Sequence, residues 1–280
     1  MRLFKRICMH KIKLILSDID NTILPSGARE ISPATKEAFI HAQEAGIVVA
    51  PATGRMYAQL PPMFGFEERL YASAVATNGA QVFLRGHALD EVVLPRTSLL
   101  QLVERLKDMP SCGLLVFLDP TPLLVVGKKE DLAVHYASYA DICRPVDALP
   151  KEKIVKANVF MAAPEAGTRA VIDTLNREID GLDFDYPHVG FSNVMRAGHN
   201  KATGIARLMQ ALGATAQEVV AFGDAGNDLT MFRLVEHSVA VANATEEAKA
   251  LARWHTGVCA DDSVALAIEI IVANEWPFSE

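Results

Sequence analysis

Two carboxylates close an apolar run in Asp18-Ile19-Asp20-Asn21-Thr22, and acids at that spacing suit cation or proton chemistry. The run before them, Ile12-Lys13-Leu14-Ile15-Leu16-Ser17, reads as a short buried β-strand. Ligands of open α/β sheets sit just beyond the carboxyl ends of such strands. Residues two apart on an extended chain project to the same side, so Asp18 and Asp20 can face one small volume. Two negative charges about 4 Å apart repel by about 4 kcal/mol at an effective dielectric of about 20. A cation between them, or a proton on one, relieves that repulsion. Taken alone, the pair is equally well a turn or a helix cap, duties common for Asp and Asn.

A second cluster breaks the tie. Gly223-Asp224-Ala225-Gly226-Asn227-Asp228 follows the apolar Glu218-Val219-Val220-Ala221-Phe222, so Asp224 also arrives at a strand tip, behind a glycine that admits close backbone approach. Leu229, Met231, Phe232 and Leu234 predict a helix starting near Asn227 or Asp228. Asp228 therefore has a capping alternative that Asp224 lacks. Two smaller signals accompany these. Ile47-Val48-Val49-Ala50-Pro51-Ala52 delivers Thr53-Gly54-Arg55, whose hydroxyl and backbone N–H groups can hold phosphate oxygens. Asn200-Lys201 opens a helical stretch with Ile205, Leu208, Met209 and Leu212 on one face and Gly213 as its stop. A lysine in the first turn opposes the helix dipole, which points to an anionic partner for Lys201. Alone, each of these two reads as structural.

In order, DxDxT, a strand-end Thr-Gly-Arg, an isolated lysine and GDxxND resemble the haloacid dehalogenase-like phosphohydrolases, and within them the Cof-type, sugar-phosphatase-like branch with a large α/β (class IIB) cap. Supporting strings are Ala76-Thr77-Asn78-Gly79-Ala80, Val239-Ala240-Val241-Ala242-Asn243-Ala244 and Asp261-Asp262-Ser263-Val264-Ala265. The resemblance spans Lys11 to about Glu269. It implies a Rossmann-like parallel-sheet core with an inserted α+β cap. It also implies Mg²⁺-dependent hydrolysis of a small phosphorylated metabolite, such as a sugar phosphate, through an aspartyl-phosphate. Carried over position by position, Asp18 is the nucleophile and Asp20 the general acid and base. Thr53, Gly54 and Lys201 hold phosphoryl oxygens. Asp18, Asp224 and the Asp20 backbone carbonyl bind Mg²⁺, with Asn227 and Asp228 in support. Asn21 stands where the family usually has glycine; Asn tolerates left-handed backbone. The His199-Asn200 start of the lysine helix also departs from the family's usual residues.

The chain has 280 residues, half of them apolar and 22% charged, enough for one large or two medium domains with a sizeable core. A net charge of −7 argues against a nucleic-acid or membrane-surface binder. Cys8, Cys112, Cys143 and Cys259 form no CxxC pair, which fits reduced cytoplasmic thiols better than disulfides or zinc. The eight histidines show no metal-ligand spacing. The first ten residues are basic and partly apolar without a sustained hydrophobic stretch, so a secretory signal is not expected. Met9 is an alternative start, and no 18-residue apolar segment suggests a membrane span.

The elements that must position these groups alternate strand and helix through residue 84, with Ser32-Pro33 starting a helix that Gly46 ends and a third parallel strand at 72–76. Strands are predicted at 91–94, 114–117, 123–126 and 155–160, with helices at 97–109, 129–140 and 165–179. Short strands are expected again at 238–242 and 256–260. The simplest organisation is a core of 1–84 and 189–280 interrupted by a cap of 85–188. His135, Tyr136, Tyr139, Arg144, Asn158 and His188 are the cap's candidate substrate contacts. A phosphosugar mutase shares the same chemistry, and a non-catalytic or phospho-Asp signalling module shares the acidic pocket with Thr and Lys. The second acid, GDxxND and the insertion argue against the signalling module.

Overall fold

Leu14–Ser17 is buried along its whole length, as expected of a central parallel strand covered on both faces. It pairs in parallel with Val219–Gly223 on one side and Val48–Pro51 on the other. These relations come from a computed structural model, which describes residues 11–278. The segment Met1 to His10, with Cys8 and the alternative start at Met9, lies outside the described residues. His237–Ala240 and Trp254–His255 extend the parallel sheet to five strands, in the order Trp254–His255, His237–Ala240, Val219–Gly223, Leu14–Ser17, Val48–Pro51. Both acidic motifs thus leave adjacent, internal strands at the same carboxyl end of the sheet. Helices Pro33–Glu44 and Ser263–Val272 pack on each other. Ser32 caps the first of them, accepting the Thr35 N–H at 3.0 Å.

A second sheet of six strands runs Leu182–Phe184, Phe191–Arg196, Lys156–Met161, Cys112–Phe117, Pro122–Val126, Arg144–Pro145. Alternation along Cys112–Phe117 divides its side chains between two cores. Leu114 and Val116 join Leu99, Leu102 and Leu175 from helices Arg96–Lys107 and Glu165–Glu178. Leu115 and Phe117 join Leu132 and Ala140 of helix Lys129–Ile142, together with Phe191 and, from the core, Met56. The expected architecture, a parallel-sheet core carrying an α+β insertion, is the one found.

Three expectations need correction. Ala74–Ala76 reaches the core sheet only through a parallel bridge from Val75 to Ala52. It belongs to an antiparallel sheet of its own with Gln81–Leu84 and His87–Glu91. Thr77, Asn78 and Gly79 all take positive φ and turn the chain straight back. The strand expected at 91–94 is replaced by His87–Glu91, and that at 256–260 by Trp254–His255, where Val239 and Ala240 offer a parallel partner. Leu182–Phe184 and Phe191–Arg196 are further strands that the apolar pattern does not mark, the first being only three residues long and the second interrupted by Ser192 and Asn193. Against expected insertion bounds of 85 and 188, His87–Glu91 pairs with the three-stranded sheet and Phe191–Arg196 with the six-stranded one.

Candidate active site

At the carboxyl ends of the two central strands, a buried ammonium joins two acids. Lys201 Nζ donates to Asp18 Oδ1 at 2.7 Å and to Asp228 Oδ1 at 2.6 Å, and its side chain is fully buried. Burial alone would push that ammonium toward neutrality; the carboxylates of Asp18 and Asp228 outweigh it and hold its pKa above the ordinary lysine value. The anionic partner that a first-turn lysine called for is therefore this pair of acids. Burial pushes the Asp18 carboxyl well above its usual range, with Lys201 opposing and the charges of Asp228, Asp224 and Asp20 adding to the rise. Burial, then the charge of Asp228, pushes Asp224 up to about 7, although the Thr22 hydroxyl donates to its Oδ1 at 3.0 Å.

Local sequence explains the close approach. Helix Lys201–Leu212 starts on Asn200, whose Oδ1 accepts the Thr203 N–H; this accounts for the Asn at the position where the family pattern differs. Asp228 does not cap forward into Leu229–Leu234. Its Oδ2 instead accepts the N–H groups of Asp224 at 2.9 Å and Ala225 at 3.0 Å, closing the GDxxND loop backward. A Cβ on Gly223 would lie 2.6 Å from the Asp228 carboxyl carbon, so that loop requires glycine. Asn21 adopts left-handed backbone with φ of 61°, the conformation glycine would supply, and its carbonyl accepts from Asn243 Nδ2 at 2.8 Å.

Asp18, Asp20, Thr53, Gly54, Asp224 and Asn227 line one cavity of about 550 Å³ between the core and the six-stranded sheet. Lys201 and Asp228 are buried and do not line it. Thr53 follows the bridge to Val75, and its hydroxyl accepts the Arg55 N–H at 3.2 Å. Asn227 Nδ2 reaches Asn78 Oδ1 at 3.5 Å. Carboxylate oxygens of Asp18, Asp224 and Asp228 lie within 4.8 Å of one another. Buried, all-oxygen donors of this kind suit a hard divalent cation such as Mg²⁺. The Asp20 carboxylate stands apart from that cluster, because Arg55 grips it with Nε on Oδ2 at 2.8 Å and Nη2 on Oδ1 at 2.7 Å.

Of the six cap candidates, Tyr136, Tyr139 and His188 line the cavity and the other three do not. The His135 ring is spent on the Ala163 carbonyl, Arg144 is exposed near Asp119, and Asn158 is buried against Asn193. The sequence names Arg55 within the Thr-Gly-Arg string without a role for its side chain, and does not single out Lys156, Phe191 or Asn193. Lys156 reaches down from the six-stranded sheet to donate to the Gly54 carbonyl. Burial and nearby Arg55 push its ammonium down to about 7. A charged residue opening an otherwise apolar strand was the available signal; for Asn193 there was none.

Comparison with known proteins shows the family. The haloacid dehalogenase-like hydrolase family matches residues 15–268, and the chain belongs to it. It is a hydrolase of the phosphatase type within that family. Pyridoxal phosphate phosphatase YbhA of Escherichia coli (strain K12) is 25% identical over 274 residues, 90% of this chain and 96% of the relative. The 5-amino-6-(5-phospho-D-ribitylamino)uracil phosphatase YbjI of the same strain is 25% identical over 282 residues, covering 96% and 99%. Among solved structures, BT4131, a HAD subclass IIB sugar phosphatase, superposes with a TM-score of 0.77 at 21% identity over 92% of this chain and 98% of its own. At that identity the likeness is one of fold alone, and it spans both the parallel-sheet core and the inserted sheet. Among the described residues Cys112, Cys143 and Cys259 are free and buried, and no helix is long and apolar enough to cross a membrane.

Proposed function

We propose that this chain is a cytoplasmic, Mg²⁺-dependent phosphomonoesterase that hydrolyses a small phosphorylated metabolite through an aspartyl-phosphate on Asp18. The observation that carries the reading is a buried strand-tip carboxylate, shared with a buried lysine, that opens onto a cavity lined also by a second acid, a hydroxyl and a glycine. The substrates named for YbhA and YbjI fall in the same chemical class. Residues of the inserted sheet act as the cap that selects the leaving group.

An Asp18 oxygen attacks phosphorus in line; the ester P–O bond breaks and the leaving oxygen takes a proton from Asp20. Asp20 then removes a proton from water, which attacks the phosphorus, breaks the bond to Asp18 and frees inorganic phosphate. Arg55 keeps the Asp20 carboxylate oriented toward the cavity between these transfers. The Thr53 hydroxyl and Gly54 N–H hold transferring oxygens, and Lys201 fixes Asp18 while cancelling part of its charge. Asp18, Asp224 and the Asp20 carbonyl would hold Mg²⁺, with Asp228 and Asn227 bracing them, and the metal supplies the charge that lets an anionic nucleophile meet a phosphate dianion. Phosphate release from a panel of phosphorylated sugars, ring-bearing phosphates and an aryl phosphate tests this, with Mg²⁺ or EDTA and with Asp18→Asn alongside. Release that needs both metal and Asp18 supports the reading. Isomer interconversion without phosphate release would replace it with a mutase, and equal activity in Asp18→Asn would end the mechanism.

A further inference from the structure

The cavity has two unlike walls. On the core side lie Asp18, Asp20, Thr53 and Asp224; on the cap side lie Tyr136, Tyr139, His188 and Phe191. The four rings brace one another. Tyr136 sits 4.3 Å from Phe191 and 5.3 Å from His188, and Tyr139 sits 6.2 Å from Phe191, centroid to centroid. Phe191 is buried at the start of its strand. Helix Lys129–Ile142 loses its regular backbone at Tyr136, with φ of −137° and ψ of 61°.

Three of the polar side chains that share this space, Asn193, Arg55 and Lys156, are already paired. Asn193 donates to Asp185 at 2.9 and 3.1 Å and accepts from Asn158 at 3.0 Å. Arg55 is held by Asp20, and Lys156 by the Gly54 carbonyl. A polyol needs several convergent, uncommitted donors and acceptors, because its desolvated hydroxyls are otherwise unsatisfied. An aromatic wall offers ring faces instead, which favour a flat π-system in offset or edge contact. A cavity of about 550 Å³ is of the size that encloses one small ring-bearing molecule.

We infer that the cap side of this cavity binds a planar aromatic or heteroaromatic ring in the leaving group, so that the substrate class is a ring-bearing phosphomonoester rather than a simple sugar phosphate. This rests on the phosphomonoesterase reading for its chemistry, but its test does not need turnover. Affinity is measured calorimetrically on the Asp18→Asn protein with Mg²⁺. The two probes are pyridoxine 5′-phosphate and glucose 6-phosphate, which place the same phosphomethylene on a flat and on a saturated six-membered ring. The flat ring should bind about tenfold tighter, the effect of one good stacking contact. Tyr136→Leu and Phe191→Leu should each bring the ratio toward one, and Tyr136→Phe should keep it. Tyr136 is only partly buried, so its variants inform even if Phe191→Leu fails to fold. A ratio near one, or a ratio that survives Tyr136→Leu, overturns the inference. Turnover of the same esters by the unsubstituted enzyme separates the two claims. A preferred but unhydrolysed ring ester supports the ring site and ends the phosphatase reading, whereas hydrolysis with no binding preference does the reverse.

Discussion

Replacing Lys201 with methionine removes the cation that two buried acids share, and the consequence can be sized from the contacts. Removing one partner of a buried ion pair typically costs about 3–5 kcal/mol, because a charge is left without compensation. Here Asp228 Oδ2 keeps the N–H groups of Asp224 and Ala225, and Asp18 can take up a proton, so we expect the lower end, about 3 kcal/mol at pH 8. At about 2–4 °C per kcal/mol for a chain near this size, the melting temperature should fall by about 6–12 °C. The pH dependence separates charge from packing. Burial raises the folded-state pKa of Asp18 well above its ordinary 3.8. A carboxyl shifted that way stabilises the fold when protonated, and that contribution is lost as pH rises through the folded value. Without Lys201 the proton stands in for the ammonium, so the deficit should shrink at pH 5.5. Circular-dichroism melts in EDTA at both pH values read this directly. A deficit under about 2 °C at pH 8 would refute the claim that Lys201 compensates the pair. A deficit of equal size at both pH values would trace it to lost packing instead.

Three further expectations follow from the same geometry. Gly223→Ala should force the Asp228 carboxylate from its place, since the new Cβ would sit 2.6 Å from it; a lower melting temperature and loss of Mg²⁺-induced stabilisation check this, and an unchanged Mg²⁺ response contradicts it. Because burial and the charge of Asp228 push the Asp224 carboxyl up to about 7, protons compete with cations at low pH, so Mg²⁺ should raise the melting temperature more at pH 8 than at pH 5.5; equal shifts count against Asp224 as a ligand. The Lys156 ammonium is pushed down to about 7 from 10.5. Between those values the unfolded chain binds a proton that the folded one does not, so stability rises with pH across that window. Lys156→Met should lack this climb, and parallel stability profiles of the two proteins from pH 7 to 10 would disprove it.

Much of the site was legible because it is built from short segments at strand ends. Burial of Leu14–Ser17 on both faces follows from its apolar run, and a parallel strand must then present Asp18 at its carboxyl tip. The same logic placed Asp224 and Thr53, and the helix-dipole misfit marked Lys201. The left-handed backbone of Asn21 was also foreseeable, since Asn is among the few residues that adopt it readily. These are properties of a few neighbouring residues, and the tertiary fold had only to accept them.

What the tertiary structure decided lies between segments far apart in the chain. Lys201 and Asp18 are separated by 183 positions, and their meeting depends on which strands neighbour one another in the parallel sheet. Lys156 and Gly54 stand 102 apart, joined only because the inserted sheet folds back over the core. The grip of Arg55 on Asp20, the backward turn of Asp228 onto its own loop, and the gathering of Tyr136, His188 and Phe191 into one wall are of this kind. Composition and periodicity report which face of an element is apolar, but not which face of another element it will meet. Chemistry written in contiguous motifs was therefore visible from the start, whereas the aromatic wall, assembled from a helix, a loop and a strand, emerged only from packing.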